Sequence, residues 1–157
     1  MKVEFWVIGK TNQVYLKEGI SIYEKRIQRY LKMEMLILPD IKNAKNLPPK
    51  QLKEKEGNQI LKKLAKGDCL ILLDERGKDF SSVAFADFIN KQLHHSYAKI
   101  IFLVGGAFGF SPSVYERANF KIRLSSMTFS HQMIRLFFIE QFYRAMTILK
   151  NEPYHNE

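Results

Sequence analysis

The most informative part of the sequence reads Leu124-Ser125-Ser126-Met127-Thr128-Phe129-Ser130-His131-Gln132-Met133-Ile134-Arg135. Small hydroxyl residues lie here between a short apolar run ending at Leu124 and a long segment with helical spacing of its apolar residues. Those apolar residues are Ile134, Phe137, Phe138, Phe142, Ala145 and Leu149. The pattern predicts a strand, a polar loop and a helix with Ser130 as its N-cap. The free N–H groups of the loop and of the first helical turn could face a ligand. Alternatively, Ser130 is only the cap that any strand-to-helix connection needs.

Strands and helices alternate along the rest of the chain. Runs rich in β-branched and aromatic residues predict strands at 2–8, 33–38, 69–73, 99–104 and 120–124, with a turn at 74–78. Amphipathic spacing and caps predict helices at 14–31, 50–64, 81–93, 112–118 and 134–149. This alternation predicts an α/β fold over residues 1–157 as one domain, with a mostly parallel sheet and helices on both faces.

Charge and cysteine content narrow the class of protein. The 25 Lys and Arg residues against 16 Asp and Glu give a formal net charge of +9, which attracts a polyanion. RNA is the natural partner, although a membrane surface would attract the same charge and many basic proteins bind no nucleic acid. The single cysteine, Cys69, excludes an internal disulfide and a multi-cysteine metal site. With no signal peptide and no membrane-spanning apolar stretch visible, we expect a soluble, cytoplasmic protein without a metal.

Three predicted strand ends carry residues suited to ligand binding: Leu73-Asp74, Val104-Gly105-Gly106 and Leu124-Ser125. Ligands of open α/β sheets bind beyond the carboxyl ends of the strands. Glycine lets the backbone approach a flat aromatic ligand, and loop N–H and C=O groups can bind the edge of an adenine. A tight turn leaving the strand is the alternative for Gly105-Gly106. The first strand is followed by Gly9-Lys10-Thr11-Asn12 without a Gly-x-Gly loop, which disfavours a Rossmann-type site.

Several motifs together resemble the RlmH family of SPOUT-class methyltransferases. Besides the 124–135 stretch, the resemblance rests on five shorter segments: Val7-Ile8-Gly9-Lys10, Tyr23-Glu24-Lys25-Arg26, Lys55-Glu56-Gly57, Phe102-Leu103-Val104-Gly105-Gly106-Ala107-Phe108-Gly109-Phe110 and Pro153-Tyr154-His155. It implies a SPOUT fold with a C-terminal trefoil knot. It also implies methylation of N3 of a pseudouridine in 23S ribosomal RNA, on the assembled 70S ribosome, by a homodimer that uses S-adenosylmethionine. Ser130 departs from the family, which usually has proline there.

The resemblance also implies which residues form the site. The implied cofactor-binding residues are Leu73, Gly105, Gly106, Leu124, Ser125, Ser126, Met127, Thr128 and Phe129. For the chemistry, the N3 proton must leave before N3 can attack. We assign His155 as the base, Arg144 to stabilise the resulting anion and Tyr154 to stack on the target base. From composition alone, the tail 151–157 is a frayed end and Arg144 pairs with Glu140 one helical turn earlier.

Three further groups of side chains have two interpretations each. His131 and Arg135 share a face of the last helix, where they approach the cofactor or RNA, or where the histidine bonds only to backbone. The aromatic cluster of that helix is more often packing than a base-stacking surface, and its extent suggests a buried subunit interface: Phe137, Phe138, Phe142 and Tyr143. The basic face of the first helix is usually only solvated surface, with RNA contact as the alternative: Lys25, Arg26 and Arg29.

Two other functions compete with the leading one. A SPOUT methyltransferase acting on transfer RNA would bind the same cofactor but transfer the methyl group elsewhere. A ribosome-associated binding protein would use the basic surface and move no methyl group.

Overall fold

The computed structural model describes residues 1–156 and contains one five-stranded sheet. Its strands are β1 (Lys2–Ile8), β2 (Met33–Leu38), β3 (Cys69–Asp79), β4 (Lys99–Val104) and β5 (Phe120–Arg123). They lie in the order β2-β1-β4-β3-β5, and every neighbouring pair is parallel. The α/β prediction with a mostly parallel sheet is confirmed.

Five α-helices and one short 3-10 helix connect the strands. The α-helices are α1 (Val14–Ile27), α2 (Pro49–Lys63), α3 (Ser82–Leu93), α4 (Pro112–Arg117) and α5 (Met133–Leu149), and the 3-10 helix is Ala44–Asn46. Ser81 and Ser111 cap α3 and α4 by accepting hydrogen bonds from the backbone N–H groups of Ala84 and Val114. Each cap satisfies an N–H group that has no partner inside its helix.

Both faces of the sheet are covered, because consecutive apolar residues of a strand point to opposite sides. On one face, strand residues such as Phe5 and Phe102 pack with Phe138 and Phe142 of α5. On the other face, Trp6 and neighbouring leucines pack with residues of α2 and α4. The helices α1 and α3 both contact α5, so α5 lies between them.

The structure corrects two details of the predicted elements. Helix α1 ends at Ile27 rather than at residue 31. Strand β3 continues to Asp79, where we predicted a turn at 74–78, because Ile122 of β5 pairs with both Leu73 and Lys78 across a bulge. A bulge leaves its extra residues unpaired without ending the strand. The predicted turn is therefore an irregularity inside a strand.

The aromatic cluster of α5 is mainly internal packing, so the interface interpretation is wrong for most of it. Phe138 and Phe142 are fully buried within the chain and Tyr143 is nearly so. Only Phe137 is exposed, at 41%. Cys69 is buried in β3, as predicted. Within residues 1–156, no helix is long and apolar enough to cross a membrane.

Candidate functional site

A cavity of about 430 Å³ opens where β4 and β5 end, beside the bulge of β3. The loops that follow β4 and β5 line it together with the bulge of β3, at the edge where the carboxyl ends of parallel strands meet. The predicted residues in its wall are Leu73, Gly105, Gly106, Leu124, Ser125, Met127, Thr128 and Phe129. Ser126 is exposed and is not part of the wall. The structure therefore brings together all but one of the predicted cofactor-binding residues.

The loop after β4 depends on its glycines. A Cβ atom on Gly105 would lie 3.1 Å from ring atoms of Phe110, which is closer than side chains normally pack. Gly109 adopts a φ of 84°, a conformation that favours glycine, and its N–H donates to the carbonyl of Gly106 over 3.2 Å. The loop thus presents backbone rather than side chains to the cavity.

Hydroxyl side chains order the loop between β5 and α5. Ser125 Oγ accepts a hydrogen bond from the N–H of Met127 over 3.0 Å. Ser130 Oγ accepts from the N–H of Met133 over 3.0 Å, so the predicted capping bond is present although regular helix begins only at Met133. Gln132 occupies the N-cap position of α5 and its side chain makes no capping bond, so Ser130 caps the turn that precedes the helix rather than the helix itself.

Tyr115, which the sequence analysis did not single out, contributes a polar group to the cavity wall together with Asp74. The Tyr115 hydroxyl donates a short hydrogen bond to Asp74. Burial, followed by that bond, raises the pKa of Tyr115 to about 12, so the hydroxyl stays protonated at neutral pH. Since 41 residues separate the two side chains, only the fold reveals their contact.

Arg135 is buried and has a structural role, so its predicted approach to the cofactor or RNA is wrong. It is 1% exposed and donates to the carbonyls of Ile8 and Gly9, at 2.8 and 2.9 Å, and to Thr11 Oγ1 at 3.1 Å. These bonds attach the start of α5 to the end of β1. His131 does line the cavity, and burial, followed by the charge of Arg135, lowers its pKa.

A buried carboxyl group lies behind the loop that follows β4. Glu56 of α2 is 7% exposed, and its carboxylate oxygens lie 2.7 and 2.9 Å from the position that a Cβ atom on Gly106 would take. Burial, and then the charge of Asp40, raises the pKa of Glu56 to about 7. A larger residue at position 106 would therefore press on this carboxylate.

The three predicted catalytic residues meet at the C-terminal end of α5. Arg144 pairs with Glu140 at 2.6 Å, and the Tyr154 hydroxyl donates to the same carboxylate over 2.9 Å. The Arg144 guanidinium lies 4.7 Å from the centre of the Tyr154 ring. Arg144 Nη1 is 3.2 Å from His155 Nδ1, and because a guanidinium only donates, Nδ1 is the acceptor. We call Glu140, Arg144, Tyr154 and His155 the C-terminal cluster.

Within one chain, the cavity and the C-terminal cluster are separate. Ile134 lines the cavity, and Arg144 follows it by ten residues on the same helix, about 15 Å further along the axis at about 1.5 Å per residue. The ion pair that composition alone suggested is thus present, and it belongs to the same cluster as the predicted catalytic groups. Among the described residues, no group of three or more His, Cys, Asp or Glu side chains could hold a metal ion.

Comparisons with known proteins agree along the chain. The family described as "Predicted SPOUT methyltransferase" matches residues 1–155. A protein of Parabacteroides distasonis named "Ribosomal RNA large subunit methyltransferase H" is 56% identical over the full length of both chains. A Christiangramia forsetii protein of the same name is 52% identical over 99% of both. A probable methylase family protein from Haemophilus influenzae has a similar fold, with a TM-score of 0.50 and 10% identity, over 99% of this chain and 70% of that one.

Proposed function

Because the chain belongs to the SPOUT methyltransferase family, we propose that it methylates N3 of a pseudouridine in 23S ribosomal RNA with S-adenosylmethionine as donor. The observation that carries this proposal is the identity of 52–56%, over nearly the whole of both chains, to proteins named as methyltransferases of large-subunit ribosomal RNA. The RlmH resemblance adds the nucleotide, the assembled 70S ribosome as substrate and hence a cytoplasmic location.

The cavity suits the proposed cofactor. Its volume of about 430 Å³ lies within the range of about 300–1,000 Å³ that is usual for small-molecule sites. Backbone of the Gly105-Gly106 loop and of the 124–129 loop supplies N–H and C=O groups for an adenine edge. Two acidic and two arginine residues line the cavity, so the lining has no excess of positive charge that would favour a phosphate-bearing ligand: Asp74, Glu75, Arg76 and Arg123. S-adenosylmethionine, when bound, would supply a methyl group on a positively charged sulfur.

The C-terminal cluster supplies the groups that the acceptor needs. His155 Nδ1 and Arg144 Nη1 already face each other at 3.2 Å, as an acceptor and a donor. A pseudouridine that enters between them would pass its N3 proton to Nδ1 and leave the resulting anion against the guanidinium. Glu140, which bonds to both Arg144 and Tyr154, positions the cation and the ring that stacks on the base.

We further infer a homodimer in which the C-terminal cluster of one subunit meets the cavity of the other. The separation of about 15 Å along α5 within one chain supports this arrangement, since methyl transfer requires donor and acceptor in contact. Exposed apolar side chains of α1 and α5 would supply part of the interface: Val14, Tyr15, Ile22 and Phe137. We also propose that residues 1–157 act as one domain, with the strand-end loops forming the trefoil knot typical of SPOUT proteins.

Label transfer tests the function. Radiolabelled S-adenosylmethionine is incubated with the protein and 70S ribosomes from cells that lack it, with protein-free 23S RNA and transfer RNA in parallel. We expect label in 23S RNA of the 70S particles, without a requirement for a divalent cation beyond ribosome integrity. Label in transfer RNA would favour the transfer-RNA enzyme, and ribosome binding without cofactor or label would favour a binding protein. Equal or better labelling of protein-free 23S RNA would contradict action on the assembled ribosome.

A further inference from the structure

Arg26 of α1 is held in place by two aromatic rings. Its guanidinium carbon lies 5.4 Å from the ring centre of Tyr23 and 5.5 Å from that of Tyr143. Such stacking fixes a guanidinium by cation–π attraction while its N–H groups stay available for hydrogen bonds. The residue itself is exposed. Arg26 is therefore an oriented cation at the surface rather than a freely moving one.

The two rings connect Arg26 to the C-terminal cluster. The Tyr143 ring contacts the Tyr154 ring edge to face, with centres 4.7 Å apart, and the hydroxyl oxygens of Tyr23 and Tyr154 are 3.5 Å apart. Arg144 lies over the Tyr154 ring. Each ring of this edge-to-face tyrosine pair thus has one guanidinium group over it.

The two guanidinium groups differ in whether a carboxylate pairs with them. Arg144 pairs with Glu140 at 2.6 Å. No carboxylate of residues 1–156 lies within ion-pair distance of Arg26. The three basic residues considered for RNA contact are Lys25, Arg26 and Arg29. Within residues 1–156, only Arg26 of these three stacks on aromatic rings. The fold therefore distinguishes one of three residues that are equivalent in the sequence.

We propose that Arg26 binds a backbone phosphate of the RNA next to the target nucleotide and thereby positions the target base on the C-terminal cluster. This inference rests on the proposed function and adds a substrate-positioning residue to it. A guanidinium matches a phosphate with two parallel N–H donors, which gives orientation as well as attraction. Because no carboxylate of residues 1–156 pairs with Arg26, its charge is available to a phosphate, whereas Arg144 is already paired with Glu140.

Steady-state methylation of 70S ribosomes by Arg26→Ala, Arg26→Lys and Arg29→Ala tests the proposal. Arg29→Ala is the matched control, because it removes one exposed positive charge from the turn that directly follows the same helix, without removing a stacked group. We expect Arg26→Ala to raise the KM for ribosomes by about tenfold or more, the effect of losing roughly 1.4 kcal/mol or more of binding. The affinity of Arg26→Ala for ribosomes should also depend less steeply on salt concentration, by the amount expected for the loss of about one phosphate contact. Arg26→Lys should fall between Arg26→Ala and wild type, and Arg29→Ala should stay within about twofold of wild type.

The affinity for S-adenosylmethionine and the melting temperature separate positioning from a merely structural role. Both should match wild type in Arg26→Ala and Arg26→Lys if the guanidinium acts on RNA. The role of Arg26 would be overturned if Arg26→Ala and Arg29→Ala had equal KM values. It would also be overturned if Arg26→Ala lost activity because it unfolds while the folded Arg26→Lys variant kept the wild-type KM. If wild-type protein does not methylate ribosomes at all, the proposed function fails and this inference fails with it.

Discussion

Replacing Glu56 by Gln should stabilise the protein at alkaline pH and have little effect at acidic pH. Burial and Asp40 raise the pKa of Glu56 from an ordinary 4.5 to about 7, so the folded state binds a proton more tightly than the unfolded state. Stability is therefore lost as the pH rises from about 4.5 through about 7, where folding must bury an ionised carboxylate. At about 1.4 kcal/mol per pKa unit, that rise corresponds to a cost of about 3 kcal/mol above pH 7, which we treat as an upper bound.

Urea denaturation of wild type and Glu56→Gln at pH 5 and pH 8 measures this cost. We expect the variant to gain about 2–3 kcal/mol in its free energy of unfolding at pH 8 and under about 1 kcal/mol at pH 5. Glu54→Gln is the control: it removes an exposed carboxylate from the same helix and should change stability by less than about 0.5 kcal/mol at both pH values. A Glu56→Gln variant that is less stable than wild type at pH 8 would refute the reasoning, because it would mean that folding favours the ionised carboxylate.

Three further substitutions test the cavity, the C-terminal cluster and the start of α5. Gly105→Val should weaken S-adenosylmethionine binding by at least about tenfold in calorimetry, because its side chain crowds Phe110 and the cavity; wild-type affinity in a folded variant would contradict this. His155→Ala should lower the methylation rate at saturating cofactor by about two to four orders of magnitude without changing cofactor affinity, and wild-type turnover would remove it from the mechanism. Arg135→Met should lose about 3 kcal/mol of stability in urea, because the carbonyls of Ile8 and Gly9 lose their buried donor; a change under about 1 kcal/mol would be inconsistent with that role.

The sequence was sufficient to predict the sheet, because each strand is an apolar run of a length typical of buried parallel strands. The predicted ranges 2–8, 33–38 and 99–104 match the observed β1, β2 and β4. Most of the loops that line the cavity were also predictable as a group. Strand ends of a parallel sheet meet at one edge whatever the order of the strands, so their loops had to be neighbours.

The wrong predictions involve contacts between residues far apart in the chain. Arg135 follows the carbonyls that it binds by 126 and 127 residues, and no local pattern indicates such a pairing. The extension of β3 beyond Leu73 depends on β5, which comes much later in the sequence. Phe138 and Phe142 cover the sheet face that contains Phe5 and Phe102, and an aromatic helix looks the same in sequence whether it covers its own sheet or another subunit.

The ion pair of Arg144 does not exclude a role in catalysis. Within residues 1–156, Arg144 Nε is buried and has no hydrogen-bond acceptor, although Glu140 engages one terminal nitrogen and His155 the other. A buried donor without an acceptor costs about 1–3 kcal/mol, which a residue with a purely structural role has no reason to retain. Glu140 fixes the direction of the guanidinium, while the Nη1 donor faces His155, where the proposed base would enter. From composition alone, the Arg144–Glu140 pair is only a stabilising ion pair of the helix. The same pair also holds the guanidinium in a fixed orientation, which it needs in order to stabilise an anion.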